Sequence, residues 1–240
     1  MMIGKTQDTS VNNIALFIDA DNAPASKIQI VLSELAIYGV VTIRRAYGNW
    51  KNPALKSWEE ILHEASIQPI QQFDLTKGKN ATDIALTIDV MDTIYSKDVS
   101  IFCFMSSDCD FTPLVTRVIS EGKVVIGFGE SKTPSVFANA CSKFLDLNRI
   151  GDKKSGSDSE SMKQDTKLIN LLRQAINASE EENGWASLSR VGSHISNHSS
   201  FDQRNYGFKK LSDMFGAIDL FEVKNISGKL MVRDRRRKSV

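Results

Sequence analysis

Apolar residues fall into two kinds of pattern along the first 147 or so positions. Short β-branched runs at 14–19, 41–47, 67–73, 99–106 and 124–128, with a further run at 144–147, predict strands. The amphipathic stretches between them, at 24–38, 53–65, 82–95, 111–121 and 134–141, predict helices. Pro24, Pro53 and Pro134 stand near the starts of three of these helices, where proline is tolerated. Strands that alternate with helices predict an α/β domain with a parallel central sheet covered by helices.

The pattern changes at 151–164. The stretch GDKKSGSDSESMKQ has one apolar residue in fourteen and the composition of a flexible linker. Helical patterns then resume at 165–178, 188–196 and 208–215. Two short strands follow at 218–224 and 229–233, around the turn sequence Asn225-Ile226-Ser227-Gly228. Three helices and a hairpin in about seventy residues outline a winged helix. The expected organisation is an α/β domain at 1–150, a linker at 151–164, a winged-helix α+β domain at 165–234 and a basic tail at 235–240.

Bulk composition narrows the class without naming the chemistry. With 41% hydrophobic and 25% charged residues the chain has the composition of an ordinary globular protein. No run approaches the ~18 apolar residues of a membrane helix, and the polar start lacks the apolar segment of a signal peptide, so a cytoplasmic location and no membrane partner are expected. Cys103, Cys109 and Cys141 are odd in number and not closely paired, which argues against disulfides and against a zinc site. Residues 1–163 hold 17 Lys and Arg against 20 Asp and Glu, whereas residues 164–240 hold 13 against 9. An acidic front and a basic back suit a carboxylate site joined to a phosphate-binding module.

The acids sit where such a fold places its chemistry. Open α/β sheets bind ligands outside the carboxyl ends of their strands, where strand order reverses. Asp19 and Asp21, with Asn22, follow the first strand; Asp108 and Asp110 follow the strand at 99–106; Asp83 opens a helix after KGKNAT. If the first and fourth strands are neighbours, these side chains converge. Converged carboxylates raise one another's pKa and need a cation, and oxygen ligands select a hard one, Mg²⁺ or Mn²⁺. Phosphodiester hydrolysis is the chemistry such a site would run. Capping competes as a role for each acid singly, since Asp and Asn are preferred helix caps. Asp19 resists that explanation because it ends an apolar strand.

The blocks ALFIDADN, RRAYGNW, KGKNATDIALTIDVM and MSSDCDFTPLVTRVISEGKVVIGFG, in order and correctly spaced over 14–147, resemble those of NYN domains, a branch of the PIN-like nucleases that includes the LabA-like bacterial proteins. The resemblance implies a PIN-like three-layer fold and divalent-metal cleavage of RNA. It also implies catalytic roles for Asp19, Asn22, Asp83, Asp108 and Asp110, with the four aspartates as metal ligands. Ser107 departs from the family pattern, which has glycine there. NYGFKKLSDMFGAIDLFEV, within 164–233, resembles the LOTUS (OST-HTH) winged helix, which implies RNA binding.

Arg44, Arg45, Lys77 and Lys79 in the front domain, and Arg204, Lys209 and Lys210 in the back one, are the candidate contacts to RNA, expected to be single-stranded. A homodimer and a protein partner on the winged helix stay open as further partners. Trp50 has two readings, stacking on a base and packing on its own domain. The rival functions are a catalytically inactive RNA-binding regulator and a haloacid-dehalogenase-type phosphatase, whose acid pair Asp19-Ala20-Asp21 imitates.

Overall fold

The computed structural model describes residues 11–73, 80–150, 159–181 and 184–236. The chain divides into two compact units, Met1–Phe128 and Gly129–Val240.

In the first unit, β1 (Asn13–Asp19) has Ile14, Ala15, Leu16, Phe17 and Ile18 fully buried. An unbroken apolar run of this kind is what a central parallel strand with both faces covered requires. It is followed by α1 (Ile28–Leu35), β2 (Val40–Gly48), α2 (Glu59–Glu64), β3 (Gln68–Gln71), α3 (Ala81–Ser96), β4 (Ile101–Met105), α4 (Thr112–Ser120) and β5 (Val124–Gly129). The segments read as continuous helices from Pro24 and Pro53 begin instead with short 3₁₀ turns, Ala25–Lys27 and Pro53–Trp58. β3 lies at the edge of the strand order β3-β2-β1-β4-β5, which explains how it tolerates Pro69: an edge strand has ladder positions where no N–H is needed.

β1 pairs in parallel with β2 on one side and β4 on the other. Strand order therefore reverses at the carboxyl end of β1, as the expected convergence of acids requires. Gly48, ending β2, is fixed by a close approach: a Cβ there would lie 2.6 Å from Leu55 and 3.4 Å from Ala20, the residue after Asp19.

The second unit contains α5 (Ser135–Ala140), β6 (Lys143–Asp146), α6 (Ser159–Gln164), α7 (Thr166–Ser179), β7 (Ala186–Ser187), α8 (Leu188–His198), α9 (Leu211–Ala217), β8 (Phe221–Ile226) and β9 (Lys229–Asp234). Of the stretch 151–164 expected as a linker, residues 151–158 lie outside the described residues, and the remainder forms α6, whose Met162 is buried in the core cluster that includes Leu168, Leu172 and Phe215. One apolar side chain placed on the core outweighs a polar average. Asp165 caps α7 by accepting from the Leu168 N–H at 3.0 Å.

β8 and β9 form an antiparallel hairpin closed by Ser227 (φ 51°) and Gly228 (φ 80°), a two-residue turn with both central residues left-handed. With β7 they make the small sheet β7-β9-β8, the wing of a winged helix. β6 is bonded to the turn that precedes α9. The Phe144 N–H donates to Ser200 O at 3.1 Å, and Asn205 both donates to Phe144 O and accepts from the Asp146 N–H. No helix among the described residues is long and apolar enough to cross a membrane.

Candidate active site

Asp19 is the last residue of β1 and only 1% exposed. Ser106, just past the end of neighbouring β4, donates its hydroxyl to Asp19 Oδ2 at 2.7 Å, and the same Oγ accepts from the Asp108 N–H at 3.0 Å. One serine thus ties the first acidic segment to the third. Asp19 Oδ1 is buried and has no partner in hydrogen-bond geometry among the described residues. Burial raises the Asp19 pKa; hydrogen bonding from Ser106 and interaction with nearby Asn22 oppose the rise, and the charge of Asp21 adds to it.

Asp83 stands in the first turn of α3. Its pKa is pushed up to about 6, first by burial and then by the charges of Asp19, Asp108, Asp110 and Asp21. Asp83 therefore lies close enough to the other four carboxylates to feel the charge of each. Asp108 caps the 3₁₀ turn Cys109–Phe111 by accepting from the Asp110 N–H at 2.9 Å, so the capping role weighed for these acids is real for Asp108. Capping uses one carboxylate oxygen and leaves the other. Ligand atoms of Asp108, Cys109 and Asp110 lie within 4.8 Å of one another. Asp19 and Asp83 stand outside that triplet; Asp83 is coupled by charge to Asp108 and Asp110 and also to Asp19.

The donor set fits a divalent cation. A buried carboxylate oxygen without a partner, and a second acid whose ionisation is resisted by four others, are both relieved by a positive ion. Cys109 adds a thiol beside the Asp108 and Asp110 carboxylates, which sequence spacing did not single out.

Other residues met different neighbours. Asn22 is exposed, in the turn closed by its own N–H on Asp19 O at 3.2 Å. Arg45 on β2 is ion-paired to Asp89 of α3, which also accepts from the Tyr47 hydroxyl. Arg44 donates to Ala65 O at 2.8 Å. Both arginines thus hold the fold's own groups. Lys77 and Lys79 lie outside the described residues. In the second unit Arg204 is bound to Asp202 at 2.7 Å, whereas Lys209 and Lys210 are exposed before α9. His194 and His198 stack with ring centroids 4.2 Å apart, and His198 Nδ1 meets His194 O.

Sequence reasoning missed Ser106 and the Asp89 network. The only trace of Ser106 is its place at the end of an apolar strand. Asp89 lies on the same helix as Asp83, at an offset that turns it away from Asp83 and brings it to Arg45 and Tyr47.

A structure of a protein of unknown function from Vibrio parahaemolyticus is similar at 18% identity and a TM-score of 0.49, covering 59% of this chain and 96% of its own. A solution structure of an uncharacterized protein from Nitrosomonas europaea is 26% identical with a TM-score of 0.27, over 37% of this chain and 83% of that one. Comparison with curated proteins gives no match. Family models match at residues 13–148, the NYN domain, and at 159–232, the OST-HTH/LOTUS domain. The five-carboxylate cluster lies inside the first of these matches, and the chain belongs to the NYN domain family, with an OST-HTH/LOTUS domain following.

Proposed function

We propose that the protein is a divalent-metal-dependent ribonuclease. The observation that carries this reading is the convergence of Asp19, Asp21, Asp83, Asp108 and Asp110 at the switch point of the sheet, with one oxygen of Asp19 buried and without a hydrogen-bond partner among the described residues. Asp19, Asp83, Asp108 and Asp110 are the residues that would hold Mg²⁺ or Mn²⁺, which when bound supplies the charge to neutralise a phosphodiester and to activate water.

The protein's own groups set the geometry. Ser106 fixes the Asp19 carboxylate, and the same hydroxyl orients the segment that carries Asp108. The Asn22 amide, exposed beside the acids, offers a neutral donor to a phosphate oxygen where another acid would repel it. Attack by water on phosphorus, with the 3′ oxygen leaving and taking a proton, yields a 5′-phosphate end. The rival phosphatase reading loses ground because the family match is to a nuclease-like domain.

The OST-HTH/LOTUS domain supports a role in holding RNA, through exposed Lys209 and Lys210 rather than Arg204, whose guanidinium is committed to Asp202. Single-stranded RNA is the proposed substrate.

The test is cleavage of end-labelled single-stranded RNA with Mn²⁺ or Mg²⁺, with excess chelator, and with Asp108→Asn. Loss of cleavage in chelator and in the variant, with 5′-phosphate products, is expected. Full activity in chelator, or 2′,3′-cyclic phosphate ends, overturns the reading.

A further inference from the structure

A cavity of about 700 Å³ opens at the β3 edge of the first unit, apart from the carboxylates. Its wall is Trp50, and Leu62, Ile67 and Pro69 supply apolar surface, with Glu59 and His63 among its polar lining groups. We infer that this pocket takes one unpaired nucleobase of a single-stranded RNA, an inference that rests on the ribonuclease reading.

Trp50 is held as a fixed plane. Its indole N–H donates to Ile70 O at 3.1 Å, its backbone N–H donates to Gln71 Oε1 at 3.1 Å, and Gln71 is itself braced by donating to Asn49 Oδ1 at 2.9 Å. A ring oriented before the ligand arrives loses little entropy when a base stacks on it. Trp50 lines the open cavity while its polar edge is tied to the strand.

The surroundings match an unpaired nucleotide. Leu62 and Ile67 are buried and offer apolar contact, while the Glu59 carboxylate accepts from N–H groups of a base edge. A base in a duplex has its faces covered by its neighbours, so a pocket built on an aromatic face selects single strands. Lys51, next in the chain, sits with its ammonium 5.0 Å from the centroid of Phe73, itself 53% exposed. This pairs a cation for the backbone with a second aromatic face.

The pocket is also within reach of the acids. Trp50 is three residues beyond Tyr47, the register partner of Asp19 on the adjacent strand. Their Cα atoms are therefore no further apart than roughly 16 Å, a span of a few nucleotides.

The test uses the full chain and a short single-stranded RNA bearing one 2-aminopurine, whose fluorescence falls when it stacks. Wild-type protein is expected to quench the probe. Trp50→Ala is expected to abolish the quench and to raise KM for cleavage by about ten-fold with little change in kcat, and Trp50→Phe to restore most of both. Pro69→Trp, which fills the cavity from an exposed position, is expected to act like the alanine variant without removing Trp50. Unchanged quench and KM in a folded Trp50→Ala or Pro69→Trp protein overturn the pocket and leave the nuclease standing. A quench that depends on Trp50 in a protein that cleaves no RNA keeps the pocket and removes the nuclease. Free adenosine monophosphate that competes as well as the oligonucleotide overturns the assignment to RNA in favour of a free nucleotide.

Discussion

Asp83 shows at the scale of one residue what the cluster costs the protein. Its ordinary pKa of 3.8 is raised to about 6 by burial and by four neighbouring acids, so its charged form is disfavoured in the fold. Stability is whole well below pH ~4, where the group is protonated in folded and unfolded chain alike, and falls as pH rises from about 4 until the loss is complete above about 6. Asp83→Asn is therefore expected to stabilise the metal-free protein at pH 7 by about 1 kcal/mol after solvent screening, and to leave it unchanged at pH ~3, below the unfolded value. Urea melts of both proteins in chelator at the two pH values measure this. Equal midpoints at pH 7 count against a repulsive cluster. A stabilised Asp83→Asn protein that no longer cleaves RNA separates the acid's chemical role from its structural one.

Among the elements, the turn before α9 does more than its sequence suggests. The helical pattern is expected to begin at Phe208, and the segment before it, Gln203–Tyr206, is a 3₁₀ turn whose Asn205 bonds both ways to β6. Asp202, 2% exposed, anchors that turn. Burial alone would raise its pKa, but the hydrogen bonds and charge of Arg204, with the charge of Lys143 on β6, prevail and hold it below the ordinary carboxylate value. Its contribution is thus complete above pH ~4 and is lost as pH falls through the lowered folded value. Asp202→Asn keeps the capping oxygen and removes the charge that Arg204 and Lys143 face. It is expected to cost about 3 kcal/mol at pH 7, with the difference from wild type closing in acid. Thermal melts between pH 3 and 7 check both parts, and a neutral effect at pH 7 means the pair contributes no net stability.

At the scale of the whole molecule, the composition break at 151 is a poor place to cut. Residues 1–150 retain β6 but lose Ser200 and Asn205, which satisfy the backbone groups of Phe144 and Asp146. Exposed strand groups of this kind invite pairing with other chains. A chain ending at 150 is expected to melt lower and to self-associate, as sedimentation or light scattering would register, while keeping the carboxylates of the first unit. A monomeric fragment as stable as the full chain would show that β6 does not depend on that turn.

How much was legible beforehand depended on whether the deciding contact was local. Unbroken apolar runs are enough to mark parallel strands, and alternation with amphipathic stretches is enough to predict the α/β class. Asp19 at the end of such a run, with acids after the fourth strand and at a helix start, already pointed to one crevice. The family blocks put Asn22 and Asp83 there as well. Opposite charges distant in sequence were not legible. Arg45 and Arg204 look like phosphate contacts in the chain and prove to be partners of Asp89 and Asp202. Met162 in a polar stretch looked like linker and proves to be core. Periodicity records which face of an element is buried, whereas only the packed chain decides which buried charge meets which. The same holds for the site: the sequence alone supplied its carboxylates, and the tertiary structure set the Ser106 hydroxyl on Asp19 and left the other oxygen of Asp19 without a partner among the described residues.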